Sequence, residues 1–296
     1  MFKWRAISFV ILIALLWAIF FMPGWIGVGL YIFCACGMIT LATYECARML
    51  NDAGTGSFPK LSALLALLIS AAGLCAPLQV EKTNFALFPL AAVIMLWAVL
   101  IVAGPWLIIL FKRGESVKKV FTTYGVGMLL PLQFLMVAGI YYNRFQHSEH
   151  LVMMGPTLLF FVVCATKAMD TGGFIFGSVS AKLMKNGNHK LCPTISPKKS
   201  WEGVAGGMIF SLAVGWIFFR CFGDHRLRWY LAFAGCLGVA SILGDLTESA
   251  LKRSCNVKDS GSWIPGMGGV FDVLDSFLYT ALACRVFFVI LRLLNA

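Results

Sequence analysis

Charge is the scarcest property of this 296-residue sequence. Only 12% of residues are Asp, Glu, Lys or Arg, against 60% hydrophobic, and the mean hydropathy is +0.85. A soluble domain runs near a quarter charged, so the polar surface needed to cover a water-soluble globule is missing. The low hydrophobicity of a disordered chain is equally absent. There is no Cys-x-x-Cys pair. Cys34 and Cys36 make only a C-x-C, and most of the ten cysteines lie inside apolar runs. That argues against a disulfide framework or a zinc site and for small hydrophobic side chains. No internal repeat and no low-complexity stretch is visible. Acids are scarcest of all, 13 against 24 basic residues, for a net charge of +11. The basic residues fall in loops between apolar runs. This reads as retention of loops on the cytoplasmic side and attraction to anionic lipid, with no nucleic acid as partner.

What is abundant is apolar sequence of membrane-spanning length. A helical span takes about 20 mostly apolar residues. Nine such segments can be drawn, at about 6–22, 25–44, 61–80, 85–111, 120–142, 151–169, 203–222, 229–247 and 273–294. The expected fold class is an all-α polytopic membrane protein of about nine transmembrane helices. The fourth segment carries Gly104-Pro105, so it reads as kinked or as two pieces. The first follows Lys3 and Arg5 like a signal sequence. No small-x-small cleavage site follows it, and Met22-Pro23-Gly24 leads into the second segment, so it reads as an uncleaved anchor. With the N-terminus inside, sixteen basic residues fall on the inner side, from Lys3 and Arg5 to Lys252, Arg253 and Lys258. Five fall outside: Lys82, Arg144, Arg226, Arg228 and Arg292. The bias predicts a cytoplasmic N-terminus and an external C-terminus. Residues 1–150 read as a scaffold of about five helices. Residues 151–296 read as a catalytic region of about four helices with two cytoplasmic loops, near 170–202 and 248–272.

Those two loops and the helix ends beside them hold most of the scarce acids: Asp170, Glu202, Asp245, Glu248, Asp259, Asp272 and Asp275. Gly244-Asp245-Leu246-Thr247-Glu248-Ser249 closes the eighth segment. Asp272-x-x-Asp275 opens the ninth, and on a helix residues three apart share a face. Carboxylates at the edge of a span are costly and usually functional. Hard oxygen ligands there suit Mg²⁺, which keeps waters and shares a substrate's phosphates, so Asp245, Asp272 and Asp275 are the candidate metal ligands. The bland readings are dipole stabilisation for Asp272 and Asp275 and an i,i+4 pair of Glu248 with Lys252. Lys252-Arg253, Lys258-Asp259 and the glycine run ending in Gly268-Gly269 lie between the acids. Cations and a glycine loop suit a polyphosphate. The other loop opens with Asp170-Thr171-Gly172-Gly173-Phe174, three residues after Lys167. It closes with Ser196-Pro197-Lys198-Lys199-Ser200-Trp201-Glu202-Gly203. There Lys198 and Lys199 are candidate phosphate contacts, and Ser200 a cap for the next helix. His189 and His225 read as loop residues rather than ligands.

At this point the residues resemble a known family. The run S-A-L-K-R-S-C-N-V-K-D-S-G-S-W-I-P-G-M-G-G-V-F-D-V-L-D, from Ser249 to Asp275, looks like the signature of phosphatidate cytidylyltransferase. The two upstream motifs, at 170–174 and 196–203, resemble that family's motifs in the expected order. The resemblance is specific over about 167–275. Two departures are Met267, where the family usually has His, and Val273, where it has Arg. The resemblance implies transfer of a cytidylyl group from CTP to phosphatidate, giving CDP-diacylglycerol and pyrophosphate with Mg²⁺. It also allows a potassium ion beside Mg²⁺, and it leaves a homodimer open. It implies catalytic roles for Asp245, Asp272, Asp275 and Lys258. Substrate binding would fall to Lys198, Lys199, Ser200, Lys252, Arg253, Asp259, Gly268, Gly269, Asp170 and Thr171. The location it implies is a bacterial cytoplasmic membrane, with the site facing the cytoplasm and membrane lipid around it. Three rival readings are a CTP-dependent lipid kinase of the polyprenol type, a transporter, and a catalytically weakened member with a non-enzymatic role.

Overall fold

A computed structural model describes residues 18–20, 22, 24–75, 117–142, 155–184, 187–222, 227–265 and 268–293. In chain order its elements are α1 (Gly24–Asp52), α2 (Pro59–Cys75), α3 (Val117–Ala138), a 3-10 turn (Gly139–Tyr142) and α4 (Gly155–Leu183). Strands β1 (Lys190–Cys192) and β2 (Ser196–Ser200) follow, then α5 (Trp201–Phe222) and α6 (Leu227–Ser254). The chain continues through α7 (Val270–Leu274), a 3-10 turn (Asp275–Phe277) and α8 (Thr280–Leu293). Among the described residues, six stretches are long and apolar enough to cross a membrane: Trp25–Asp52, Lys118–Tyr142, Gly155–Leu183, Trp201–Phe222, Leu227–Ser254 and Val270–Leu291. Helix satisfies every backbone group within the segment, which hydrocarbon demands. Large apolar side chains such as Trp25, Phe33, Phe174 and Leu293 lie exposed. On a lipid-facing surface they are matched to their solvent. The expected span 85–111 and nearly all of 6–22 lie outside the described residues, as do Gly104-Pro105, Met267 and the boundary at 150. α2, 17 residues, covers 61–75 of the third expected span, and 76–80 lie outside the described residues.

The first expected loop, 170–202, is largely regular structure, while the second, 248–272, is helical only at its ends. α4 runs straight through Asp170-Thr171-Gly172-Gly173 to Leu183. The glycines of this stretch let two helices approach. A Cβ at Gly172 would stand 2.8 Å from the Gly206 carbonyl oxygen, and one at Gly203 would stand 2.8 Å from that of Gly173. Small residues replace the hydrophobic drive that helix pairs lack in lipid. The rest of that stretch, expected to be free of strand, holds an antiparallel hairpin pairing Lys190 with Ser200 and Cys192 with Ser196. Likewise α6 extends to Ser254, and Asn256 then takes a left-handed conformation, φ 55°. Asn tolerates it better than most residues. The ninth expected span matches the candidate Val270–Leu291, whose α-helix is interrupted by the 3-10 turn Asp275–Phe277.

The chain divides into two compact units. The first is Met1–Tyr142 with Ser254–Leu274, and the second is Asn143–Arg253 with Asp275–Ala296. In the first, α1, α2 and α3 pack together, with small polar residues bridging α2 and α3. Ser62 Oγ donates to the Thr123 carbonyl (3.0 Å), and the Phe58 N–H donates to Thr123 Oγ1 (2.8 Å). In the second, α4 and α5 form the closest pair, and an aromatic cluster fills the interior. Phe161 stacks on Phe218 at 4.7 Å and meets Phe233 edge-on at 5.3 Å. Phe233 in turn lies 4.8 Å from Phe287.

The α4–α5 contact makes a stability prediction. A Cβ at Gly207 would lie 2.5 Å from the Met169 carbonyl oxygen and 2.8 Å from its sulfur. Gly207→Val gains about 0.4 kcal/mol of helix propensity. Overpacking costs about 1–3 kcal/mol and wins. The unfolding midpoint in detergent should therefore fall by several degrees, read by thermal fluorescence. An unchanged midpoint would refute the close contact.

Candidate active site

The acidic site of the second unit starts on α6. Asp245 and Glu248 are three apart on that helix, and Asp275 opens the 3-10 turn before α8. One oxygen from each lies within 4.8 Å of the others. Gly244 makes this approach feasible, because a Cβ there would overlap the Asp275 carbonyl oxygen. Glu248 is 1% exposed and Asp275 9%. So much buried negative charge requires compensation. Three lysines supply it. Lys199 of β2 reaches Asp245 at 2.6 Å, and Lys252 reaches Glu248 at 2.8 Å. Lys167 of α4 donates to Asp170 (3.2 Å) and to Ser276 Oγ (3.1 Å).

Asp170 ties α4 to this cluster. Ser241 Oγ donates to its Oδ1 at 3.1 Å. The Ser276 hydroxyl lies 2.8 Å from Asp170 Oδ2 and 2.9 Å from Asp275 Oδ1, within reach of both carboxylates. Ser241 and Ser276 are not among the candidates the sequence offers, yet a signal is there: Ser241 lies one helical turn before Asp245, and Ser276 directly follows Asp275. The spacing also pairs Glu248 with Lys252. That pair exists, and Glu248 is at the same time a member of the acidic cluster.

The remaining candidates of this unit fall as follows. Ser200 caps α5, its Oγ accepting from the Gly203 N–H at 3.1 Å, as its position predicted. Glu202 accepts from both the backbone and the ring of His189, at 3.1 and 2.6 Å, fastening the hairpin to α5. Lys198 and Arg253 are exposed. Thr171 is exposed too, its hydroxyl donating back to the Lys167 carbonyl.

Asp272, Gly268 and Gly269 belong to the first unit. Ile264 and Gly268 exchange backbone hydrogen bonds (2.9 and 3.2 Å), closing a tight loop at Pro265. Gly268 has φ 102°, a conformation that favours glycine. The Asp272 carboxylate accepts from the Ser260 N–H (3.1 Å to each oxygen) and the Gly269 N–H (2.8 Å). Lys258 and Asp259 are exposed at the loop's start. Glu45 of α1, which sequence reasoning did not single out, also reaches this loop. Its Oε2 accepts from Ser260 Oγ (3.1 Å) and the Phe271 N–H (2.9 Å). A lone carboxylate inside an apolar helix was the signal that could have found it.

Chemically, the second unit offers three clustered carboxylates with lysines at their rim. Hard oxygen donors at this spacing fit a divalent cation such as Mg²⁺ that keeps part of its water shell. The lysines suit phosphate oxygens.

Comparison with known proteins adds a framework. The model of the cytidylyltransferase family matches residues 3–291. The phosphatidate cytidylyltransferase of Haemophilus influenzae is 39% identical over 145 residues, 47% of this chain and 48% of that protein. That of Bacillus subtilis is 35% identical over 178 residues, 58% and 61% respectively. That of Staphylococcus saprophyticus is 44% identical over 153 residues, 51% and 54%. The chain spans about half the length of the curated relatives it matches.

Proposed function

Because this chain belongs to the cytidylyltransferase family, we propose that it transfers the cytidylyl group of CTP to phosphatidate, releasing pyrophosphate and leaving CDP-diacylglycerol. One observation carries the reading: Asp245, Glu248 and Asp275 converge within 4.8 Å, with Lys199 and Lys252 bound to their rim. The phosphate of phosphatidate is already anionic at neutral pH, so no strong general base is required. The difficulty is to bring two anionic phosphates together. A phosphate oxygen attacks the α-phosphorus of CTP, the bond to the β-phosphate's bridging oxygen breaks, and pyrophosphate leaves with that electron pair.

Asp245 and Asp275, with Glu248 beside them, would hold Mg²⁺, which when bound supplies charge neutralisation at the phosphates. Lys199 and Lys252 neutralise phosphate oxygens and orient them for in-line displacement. Lys198, Arg253 and Lys258, exposed and basic, draw the nucleotide in. Asp170 fixes Lys167 and Ser276 and so holds Asp275 in place. The orientation follows from the same reading. CTP is cytosolic, and the motifs fall on the side where sixteen of the basic residues lie. The location is then a bacterial cytoplasmic membrane with the site facing the cytoplasm.

The test is purified protein in detergent with CTP, phosphatidate and Mg²⁺, and products read by mass. CDP-diacylglycerol with pyrophosphate is expected. A phosphorylated lipid with CDP would instead mark a lipid kinase, and no product would mark a non-enzymatic member. Met267→His and Val273→Arg, which insert the family's usual residues, should leave turnover within about threefold, because the lysines and carboxylates are kept. Loss of activity in either variant would mean that the site has been rebuilt around the apolar residues.

A further inference from the structure

Glu45 is the only acid in the interior of α1, and it is 2% exposed. A carboxylate buried at that depth is costly unless its charge is matched by donors. Its donors come from one place. Ser260 Oγ and the Phe271 N–H, 215 and 226 residues away in sequence, both bond to Oε2. The other oxygen, Oε1, is buried without a hydrogen-bond partner among the described residues.

The loop is shaped to admit this side chain. A Cβ at Gly261 would overlap Glu45 Oε1, and a Cβ at Gly269 would overlap both Glu45 Oε2 and Ser260 Oγ. Gly261 and Gly269 have no positive φ, so neither needs to be glycine for its backbone conformation. What they lack is the atom that would collide with the carboxylate. The Gly269 N–H, moreover, is committed to Asp272 (2.8 Å). Ser260 is the shared node, its N–H on Asp272 and its hydroxyl on Glu45.

We propose that Glu45 is the positioning residue of the 258–272 loop. Its carboxylate, admitted by Gly261 and Gly269, locks the loop in the form in which Lys258 meets the nucleotide's phosphates. The lock stands on geometry alone, and the nucleotide half rests on the cytidylyl-transfer reading above. Part of the glycine pattern thus makes room for a carboxylate rather than for phosphate.

Two measurements on the full-length protein in detergent test this. The first is hydrogen–deuterium exchange without nucleotide, comparing wild type, Glu45→Gln and Glu45→Ala. Glu45→Ala should speed exchange in peptides covering 258–272 by about tenfold or more, as a buried amide and hydroxyl lose their partner. Peptides from 155–184 should not change. Glu45→Gln, isosteric and with one accepting oxygen, should fall between and covers the case in which the alanine variant fails to fold. Gly261→Ala should speed the same peptides, and the shorter carboxylate of Glu45→Asp should partly restore them in the double variant. The second measurement is steady-state kinetics. KM for CTP should rise about tenfold in Glu45→Gln while KM for phosphatidate holds, a split that a general loss of structure would not produce. Unchanged exchange at 258–272, or an increase spread over the whole chain, overturns the lock. Absence of CTP turnover in wild type would overturn the cytidylyl-transfer reading instead, and the exchange result would still decide the lock.

Discussion

Asp275→Asn should lower turnover by roughly a hundred- to thousandfold, with Mn²⁺ binding weakened in step. The size follows from what the residue does at one point in space. It contributes one of three carboxylate oxygens within 4.8 Å, and it is buried. Removing one preorganised charged group from a water-poor site typically costs that much in rate. Asn keeps the side chain's size and can still accept from the Ser276 N–H, so the 3-10 turn should survive. Only the charge is lost. Lys167, Lys199 and Lys252 would then face two carboxylates of the cluster instead of three, which disfavours a divalent cation further. Asp245→Asn should behave alike. Robust turnover in either variant, or Mn²⁺ affinity equal to wild type by electron paramagnetic resonance, would remove the cluster from the mechanism.

The second large effect is expected at Asp272, and it separates two roles. The family resemblance makes this residue a metal ligand, whereas its hydrogen bonds make it a clamp on the Ser260 and Gly269 N–H groups. Bonds from backbone N–H to a carboxylate are charge-assisted, and each contributes about 1.5–3 kcal/mol. Asp272→Ala removes both, so on the proposed cytidylyl-transfer reading CTP-dependent turnover should fall by about a hundredfold or more. Asp272→Asn is more informative. Its oxygen can serve one N–H, while its amide group faces the other donor to donor. If Asp272 is mainly a clamp, this variant binds Mn²⁺ as wild type does and loses affinity for CTP. If it is mainly a ligand, both affinities fall together. Isothermal titration with each ligand alone distinguishes the outcomes.

Much of the acidic site was legible in the sequence because carboxylates are so rare there. With 13 in 296 residues, a carboxylate at the end of an apolar segment stands out, and Asp245 and Asp275 are both legible that way. What was not legible was what depends on tertiary approach. Residues 170–173 read as the start of a polar inner loop, whereas Gly172 and Gly173 lie on α4 and let α4 and α5 approach closely. Glu248 has a local partner in Lys252, so the sequence offers it both an ion pair and a place among metal ligands, and only the tertiary approach of Asp275 shows that it has both. Glu45 had no local signature beyond being alone, since its donors lie more than 200 residues downstream. The hairpin at 190–200 carries too few residues to show a period of two. Long apolar segments, by contrast, declare themselves by composition. That is why the helices were anticipated and several of their ends were not.

The grouping of Ser254–Leu274 with Met1–Tyr142 has a consequence for biogenesis. During synthesis the first three described helices emerge long before the segment that completes their unit. Until residue 260 leaves the ribosome, the Glu45 carboxylate has neither Ser260 nor Phe271 to bond to, and until residue 271 it lacks the second. Contacts of such long range are the slow ones in folding. A chain truncated before residue 254 would insert α1 to α3 with a bare buried acid. A C-terminal fragment would carry the signature loop without the helix that seats it. Neither half is a self-sufficient piece, so attempts to dissect this protein should keep residues 24–293, with both units whole, on one continuous polypeptide.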